Sequence, residues 1–188
     1  MKRNNFLTAL VMAGMTPLDV FSQTQNIKNR TDKGFIVKSG EPRNHGHFRL
    51  KGVNLNILDA KISGDDTDGA VAMFEQTSLS QGRGTPLHVH HKQDEFFFVV
   101  EGEYYFQIGS DKFRASSGDS IFLPMKIPHA WTQVSPKGKM TVTFQPAGKM
   151  ENFFLTVAAL DHEPTKDEMA AIFEANEMSV VGPALKVD

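Results

Sequence analysis

"TPLHVHHKQDEFFFVVEG", residues 85–102, places a cluster of histidines and carboxylates directly before a run of bulky apolar residues. His88 and His90 are two positions apart, so on a strand their side chains lie on the same face. The tetrapeptide "HKQD" has the composition of a turn, and Glu95 opens the next predicted strand, where it can face the same point. His91 points the opposite way. The stretch therefore predicts that two imidazoles and one carboxylate come together.

A fourth ligand is available in a later segment, "LPMKIPHAWTQ", where two prolines precede His129 at the start of another predicted strand. Three imidazoles and one carboxylate suit a divalent first-row metal and leave coordination positions for water or substrate. The chain has no cysteine, which excludes a closed thiolate site. A set of hydrogen-bonded core side chains is the alternative. We expect one divalent transition metal (Mn, Fe, Co, Ni, Cu or Zn) held by His88, His90, Glu95 and His129.

Short segments rich in β-branched and aromatic residues alternate with clusters of Gly, Pro, Asn and Asp from about residue 48 onwards. This pattern predicts an all-β sandwich or closed barrel. In residues 95–101 both faces are apolar, so this strand is predicted to be buried on both sides. The predicted strands are 48–58, 70–79, 87–91, 95–101, 103–109, 120–123, 129–135 and 139–146.

The C-terminal part of the chain has a helical pattern. Thr165 is a candidate N-cap with Glu168 three residues later, which predicts a helix over about 166–177 followed by a tail. The sequence contains no internal repeat and no low-complexity tract. We therefore expect a single β-barrel domain over residues 23–163 and a helix with a tail over residues 164–188.

The N-terminal segment "MKRNNFLTALVMAGM" joins a short basic start to an apolar run, which is typical of a secretory signal peptide. The run is too short to span a bilayer, so no stable membrane anchor is expected. Residues 1–22 are therefore predicted as a signal peptide, and the protein as exported to the periplasm or the extracellular space. An amphipathic helix that stays on the mature protein is the alternative, and a cytoplasmic location would accompany it.

The spacing of these residues resembles that of the cupin superfamily. Every spacing of the first cupin motif is satisfied, by Gly82, His88, His90, Glu95 and Gly102. The second motif is matched at Gly118, Pro124 and His129. In this second motif Lys126 replaces a glycine at a turn, and Gln133 replaces an asparagine at a position that is not a metal ligand in the family. All metal ligands implied by the resemblance are therefore present.

The resemblance implies a cupin (double-stranded β-helix, or jelly-roll) barrel with a C-terminal helix, and a homodimer. The single barrel, the segment "FQPAGKMENFF" and the tail "VVGPAL" look like those of monocupins described as quercetin 2,3-dioxygenase-like. In the quercetinase family the enzyme opens a flavonol ring with dioxygen.

Other candidate ligands lack the matching spacing. Asp94 lies beside Glu95, but only Glu95 has the spacing of the motif. A second His-x-His, in "NHGHF" at residues 44–48, has no partner carboxylate at a matching distance. It is predicted as a loop, with an adventitious metal site as the alternative.

Three functions are open to a chain with this site. The first is a metal-dependent oxidoreductase, a dioxygenase for a small aromatic or hydrophobic substrate. In it Glu95 completes the coordination shell or accepts the substrate's hydroxyl proton. The second is a non-oxidative isomerase, cyclase or lyase, and the third is a non-catalytic small-molecule-binding protein. The complete ligand set favours the two enzymes.

The partner expected from the sequence is a small molecule. Residues inside a small barrel either fill it or line a ligand cavity. The candidates for the lining are Phe97, Val99, Trp131, Gln133, Met140, Val142 and Phe144. An apolar cavity beside an open metal suits a small hydrophobic substrate. The net charge of −2, without a basic stripe, argues against nucleic acid as a partner.

Overall fold

Two antiparallel β-sheets form most of the computed structural model, which describes residues 30–52 and 54–188. The predicted signal peptide, residues 1–22, lies outside the described residues, so export stays a prediction. The strands of the described part are β1 (Phe48–Arg49), β2 (Ile57–Ile62), β3 (Ala72–Ser78), β4 (Pro86–His90), β5 (Asp94–Glu101), β6 (Glu103–Ile108), β7 (Asp111–Ser116), β8 (Ser120–Leu123), β9 (His129–Gln133), β10 (Gly138–Gln145) and β11 (Met178–Ala184). Its helices are a short 3-10 helix (Gly64–Thr67), α1 (Met150–Ala159) and α2 (Lys166–Ala175).

The order of the strands is that of a jelly roll. One sheet runs β1-β2-β3-β10-β5-β8 and the other runs β11-β4-β9-β6-β7. From β3 onwards the chain passes repeatedly between the two sheets, and all pairings among these strands are antiparallel. The predicted all-β jelly-roll barrel with a C-terminal helix is confirmed.

The core lies between the sheets and is rich in aromatic rings. In β10, Met140, Val142 and Phe144 are each at most 2% exposed, while the residues between them are partly exposed. This period of two is that of a strand with one buried face. Phe74 and Phe144 meet edge to face with ring centroids 6.1 Å apart. Because the interior is this apolar, a polar side chain that enters it needs a partner.

The outer face of β5 is exposed, which corrects the prediction that residues 95–101 are buried on both sides. Phe98 and Val100 are each 44% exposed, and Phe122 on the edge strand β8 is 51% exposed. Phe96 stacks on Phe122 with ring centroids 5.0 Å apart. An unbroken apolar run cannot distinguish burial under a second layer from partial shielding by neighbouring rings. The homodimer implied by the resemblance stays a prediction.

The structure differs from the strand prediction at two places, each for a local reason. The predicted strand 48–58 is two strands, β1 and β2, separated by a loop that contains Asn54 and Asn56. Asn54 Oδ1 accepts a hydrogen bond from the N–H of Asn56 (3.1 Å), and Asn56 Oδ1 accepts one from the N–H of Leu79 (2.9 Å). These asparagine side chains accept hydrogen bonds from backbone N–H groups that would otherwise pair with a neighbouring strand. The segment between β1 and β2 is therefore not a strand. The strand β7 was not predicted because only Ala115 in it is buried.

The C-terminal part contains more regular structure than predicted. The capping box is confirmed, since Thr165 Oγ1 accepts from the N–H of Glu168 and Glu168 Oε2 accepts from the N–H of Thr165. The helix α2 ends at Ala175 rather than at residue 177. The predicted tail forms β11, which pairs with β4, and α1 was not predicted. Within the described ranges, none of the helices has the length and apolarity to cross a bilayer.

Candidate metal centre

The four predicted ligands come from three strands and from both sheets. His88 and His90 lie on β4, and His129 on the neighbouring β9 is opposite His88 in the register of that sheet. Glu95 lies on β5 in the other sheet. The three residues between β4 and β5 therefore carry the chain across the barrel rather than into a simple hairpin. As a result Glu95 faces the three histidines across the interior.

The four side chains converge closely and are almost fully buried. One ligand atom of each lies within 4.8 Å of the others. Glu95 Oε2 is 3.1 Å from His129 Nε2 and 3.8 Å from His90 Nε2, and all four residues are at most 6% exposed. Glu95 Oε2 and His129 Nε2 are not aligned as a hydrogen bond, and neither atom has a partner among the described residues. Buried polar atoms without partners are costly, so the cluster fits a metal ion that would satisfy them together.

Backbone carbonyls fix the tautomer of two of the histidines. Nδ1 of His88 is 2.8 Å from the carbonyl oxygen of Pro86, and Nδ1 of His129 is 2.9 Å from that of Ile127. A carbonyl oxygen can only accept, so each Nδ1 carries the hydrogen and donates it. The lone pair on each Nε2 is then free. This is the form in which an imidazole binds a metal.

Burial keeps the imidazoles of His88 and His90 uncharged at neutral pH. Burial, followed by repulsion from His129 and His90, lowers the pKa of His88 well below its usual value. Burial, followed by repulsion from His129, lowers the pKa of His90 to about 3. Both rings therefore offer lone pairs near pH 7. Neutral imidazoles together with a carboxylate are ligands that first-row divalent metals accept.

Acid is expected to destabilise the metal-free protein through these histidines. The pKa of His90 is about 3 when folded and near the ordinary value of 6.5 when unfolded, so the unfolded state binds more protons between these values. The contribution of neutral His90 to the free energy of unfolding should be complete above pH 6.5 and should be lost as the pH falls towards 3. Urea unfolding in a chelator from pH 7 to pH 4 measures this slope. His90→Asn should make the slope shallower, and equal slopes would contradict the assignment.

An apolar cavity of about 70 Å³ lies beside the ligand cluster. His88, His90 and Glu95 form part of its wall. Four of the seven predicted lining residues also lie on this cavity, namely Phe97, Trp131, Val142 and Phe144. A substrate in this cavity would therefore meet both the candidate ligands and aromatic rings.

The structure places the other three predicted lining residues, Val99, Gln133 and Met140, elsewhere in the core. Val99 and Met140 pair with each other further along their strands, away from Glu95. Gln133 is engaged by the backbone, since its Oε1 accepts from the N–H of Ser80 (2.8 Å). Alternation along a strand gives the face of a residue but not its depth in the barrel, and depth decides which residues reach the cavity.

Comparison with known proteins identifies the family. Residues 76–145, which contain all four candidate ligands, match the family model of the cupin domain. The chain therefore contains a cupin domain.

Two of the curated proteins that match this cupin are similar to different extents. An uncharacterized protein of Methanocaldococcus jannaschii is 35% identical over 61 residues, which are 32% of this chain and 49% of that protein. Quercetin 2,3-dioxygenase of Bacillus subtilis is 22% identical over 160 residues, which are 82% of this chain and 44% of that enzyme. The cupin thus spans about half the length of these two relatives.

A solved structure supports the fold of the barrel. A RmlC-like cupin from Shewanella frigidimarina superposes with a TM-score of 0.51 at 18% sequence identity, and the match covers 65% of this chain and 98% of that one. At this level of identity the likeness shows the fold alone.

Residues from the C-terminal elements close the cupin barrel at the cavity, and sequence reasoning did not assign them to it. Phe173 on α2 meets the ring of His88 edge to face, with centroids 5.3 Å apart, and Phe153 on α1 lies 4.9 Å from Phe173. Met169 and Phe173 are four residues apart and share one face of α2, but this spacing alone does not show what that face contacts. The lining residues from this part are Met150, Phe153, Phe154, Val157, Met169, Phe173 and Met178.

A few polar side chains of the wall were also missed. These are Lys51, Asn54, Gln76 and Thr85. The Nζ of Lys51 donates to the carbonyl oxygen of Leu160, which directly follows α1. None of these residues belongs to a motif, so the sequence carried no signal for them. The wall is therefore apolar with a small number of polar groups, as is usual for small-molecule sites.

The other candidate ligands, which the sequence pattern excluded, lie outside the cluster. His91 is exposed, and its Nε2 is 2.7 Å from Ser179 Oγ. Asp94 Oδ1 accepts from the N–H of Met125 (2.8 Å), which turns this carboxylate away from the histidines. The two histidines of the second His-x-His each pair with a separate carboxylate. The geometry therefore agrees with the prediction, made from the motif spacing, that Glu95 and not Asp94 is the ligand.

Proposed function

We propose that this cupin is a metal-dependent dioxygenase that acts on a compact and largely hydrophobic small molecule. The observation that carries the proposal is the buried group of three histidines and one glutamate at the wall of an apolar cavity. A site of this kind suits the activation of a bound small molecule by a metal. The similarity to quercetin 2,3-dioxygenase, over less than half of that enzyme, supports an oxidative reaction.

His88, His90, His129 and Glu95 would hold the ion. When bound, a divalent first-row metal supplies a Lewis acid for a substrate oxygen and a route for electrons between substrate and dioxygen. The backbone carbonyls that fix His88 and His129 keep these rings oriented without help from the ion. The aromatic wall around them excludes water, which strengthens every electrostatic interaction with the substrate.

Glu95 is the residue placed to move a proton. Its Oε2 is buried, has no hydrogen-bond partner among the described residues, and belongs to a side chain on the cavity wall. A substrate hydroxyl in the cavity can pass its proton to the Glu95 carboxylate, which then either stays in the coordination shell or leaves it. The substrate is then an electron-rich oxyanion, which dioxygen oxidises more readily. Both oxygen atoms enter the product, so no separate reductant is required.

The size of the cavity favours a compact substrate over a flavonol. The cavity measures about 70 Å³, whereas a cavity that binds benzene measures roughly 150 Å³. A three-ring flavonol therefore needs a large displacement of Phe153 and Phe173 on the two helices that cover the site. A one-ring enediol such as a catechol needs a smaller one. A one-ring substrate therefore suits this cavity better than a flavonol does.

Metal analysis and oxygen uptake on the same preparations test the proposal. The protein is loaded separately with Mn, Fe, Co, Ni, Cu and Zn and is expected to bind about one ion per chain. At least one redox-active form should consume oxygen with a catechol, and faster than with a flavonol. Uptake with the flavonol alone would contradict the size argument. A protein that binds no metal, or metal forms that take up no oxygen with either substrate class, would reject the dioxygenase.

Anaerobic turnover separates this function from the non-oxidative ones. A dioxygenase stops when oxygen is removed, because oxygen is its second substrate. Equal conversion of a substrate under argon would instead identify an isomerase, cyclase or lyase. Stoichiometric retention of a ligand without conversion would identify a binding protein.

A further inference from the structure

One histidine of the cluster lacks the backbone carbonyl that orients the other two. His88 and His129 each donate from Nδ1 to a carbonyl oxygen. Nδ1 of His90 is buried and has no hydrogen-bond partner among the described residues. Nε2 of His90 faces Glu95, 3.8 Å from its Oε2, so Nδ1 points away from the ligand cluster. An unpaired buried N–H is costly, so an acceptor is needed on that side.

Gln93, three residues along the chain from His90, has the complementary atom. Its side chain is 1% exposed, and its Oε1 is likewise buried without a hydrogen-bond partner among the described residues. The Gln93 side chain raises the pKa of His90 against the larger lowering by burial, which agrees with an oxygen acceptor on that side of the ring. An amide oxygen is an acceptor and a neutral imidazole N–H is a donor, so each satisfies the other.

The rest of the Gln93 side chain is held in one orientation. Gly148, at φ +53°, lies against it, and a Cβ built at this position would collide with the Gln93 amide. Nε2 of Gln93 is 3.5 Å from Glu177 Oε2, and Glu177 is held in turn by the Nζ of Lys92, 2.7 Å from its Oε1. Because the amide nitrogen is directed at Glu177, the amide oxygen faces the opposite side.

We propose that Gln93 is a positioning residue of the metal centre: its Oε1 accepts the Nδ1–H of His90 and thereby turns Nε2 of that ring towards the metal. The inference rests on the proposed metal site and supplies the orienting group of its remaining histidine. A partner of this kind fixes the tautomer and raises the basicity of the ligand. Its loss reduces metal affinity by about 10- to 100-fold.

Cobalt binding tests this role with three variants. Gln93→Leu removes the amide and keeps most of the side-chain volume. Gln93→Glu combined with Glu177→Gln keeps an oxygen acceptor beside His90 and exchanges donor and acceptor between the two side chains. Gln133→Leu is the matched control, because it removes a buried glutamine whose hydrogen bonds go to backbone groups of Ser78, Ser80 and Ser135. For each protein the Kd for Co²⁺ is measured by competition with a chelator, with the visible spectrum of the cobalt form and the Tm of the metal-free form.

We expect Gln93→Leu to weaken Co²⁺ binding by about 10- to 100-fold and to change the visible absorption bands of the bound ion. The double variant should restore both, and Gln133→Leu should lower Tm without changing either. An unchanged Kd and spectrum in Gln93→Leu, or the same change in Gln133→Leu, would overturn the role of Gln93 while the metal site stands. If the unmodified protein itself does not bind Co²⁺, the metal site is overturned and this inference with it.

Discussion

Replacement of His129 by alanine is expected to weaken metal binding by more than about 100-fold and to abolish metal-dependent turnover. Without this ring the cluster keeps two imidazoles and one carboxylate, and Glu95 Oε2 loses the nitrogen that lies 3.1 Å away. A ligand contributes more to metal affinity than the partner that orients it, whose loss alone amounts to about 10- to 100-fold. Chelator competition measures the Kd, and elemental analysis after dialysis measures the metal retained.

His91→Ala is the matched control for this variant. His91 directly follows a candidate ligand, but it is exposed and its Nε2 contacts Ser179 Oγ. Its removal should leave the metal affinity within about twofold, because surface substitutions have small effects. Unfolding curves of both variants show whether each is folded. Full affinity in His129→Ala, or an equal loss in His91→Ala, would contradict the ligand assignment.

The ligand cluster could be predicted from the sequence because short-range rules set most of its geometry. His88 and His90 share a face because they are two apart on a strand. Glu95 follows after a short connection, so its position depends on few residues. Only His129 is distant; it was predicted as the fourth ligand because it opens another predicted strand after two prolines, and the second motif agrees with that choice.

The cavity could not be predicted because it depends on contacts between distant segments. Phe97 and Val99 share one strand face, yet only Phe97 reaches the cavity. The helices that close it bring Phe153 and Phe173 over the histidines, and this placement depends on how α1 and α2 pack on the barrel. The periodicity of a sequence identifies which face of a helix is apolar. The surface that this face packs against depends on the whole fold.

Gln93 shows the same limit at a single residue. In the sequence it belongs to "HKQD", whose composition indicates only a turn. The contacts that orient it, with Gly148 and Glu177, come from residues far along the chain. Spacing rules therefore find the atoms that bind a metal more readily than the atoms that orient those ligands.

Exchange of Glu95 for glutamine is expected to lower kcat by about 10²- to 10⁴-fold, the usual contribution of a general base. Glutamine keeps the shape of the side chain and one oxygen, but it carries no charge and cannot accept the substrate's proton. Three histidines remain as ligands, so the variant should still bind metal, although more weakly. Oxygen uptake at saturating metal and substrate measures kcat, and chelator competition measures the Kd.

Asp94→Asn controls for the loss of a neighbouring carboxylate. Asp94 Oδ1 accepts from the N–H of Met125, and an asparagine oxygen can accept the same bond, so turnover should stay close to that of the unmodified protein. The two readouts on Glu95→Gln then separate two roles. A fall in kcat that persists when the metal site is full assigns Glu95 to proton transfer. A fall that disappears as metal is added assigns it to holding the ion alone, and the proton must then pass to another group on the cavity wall.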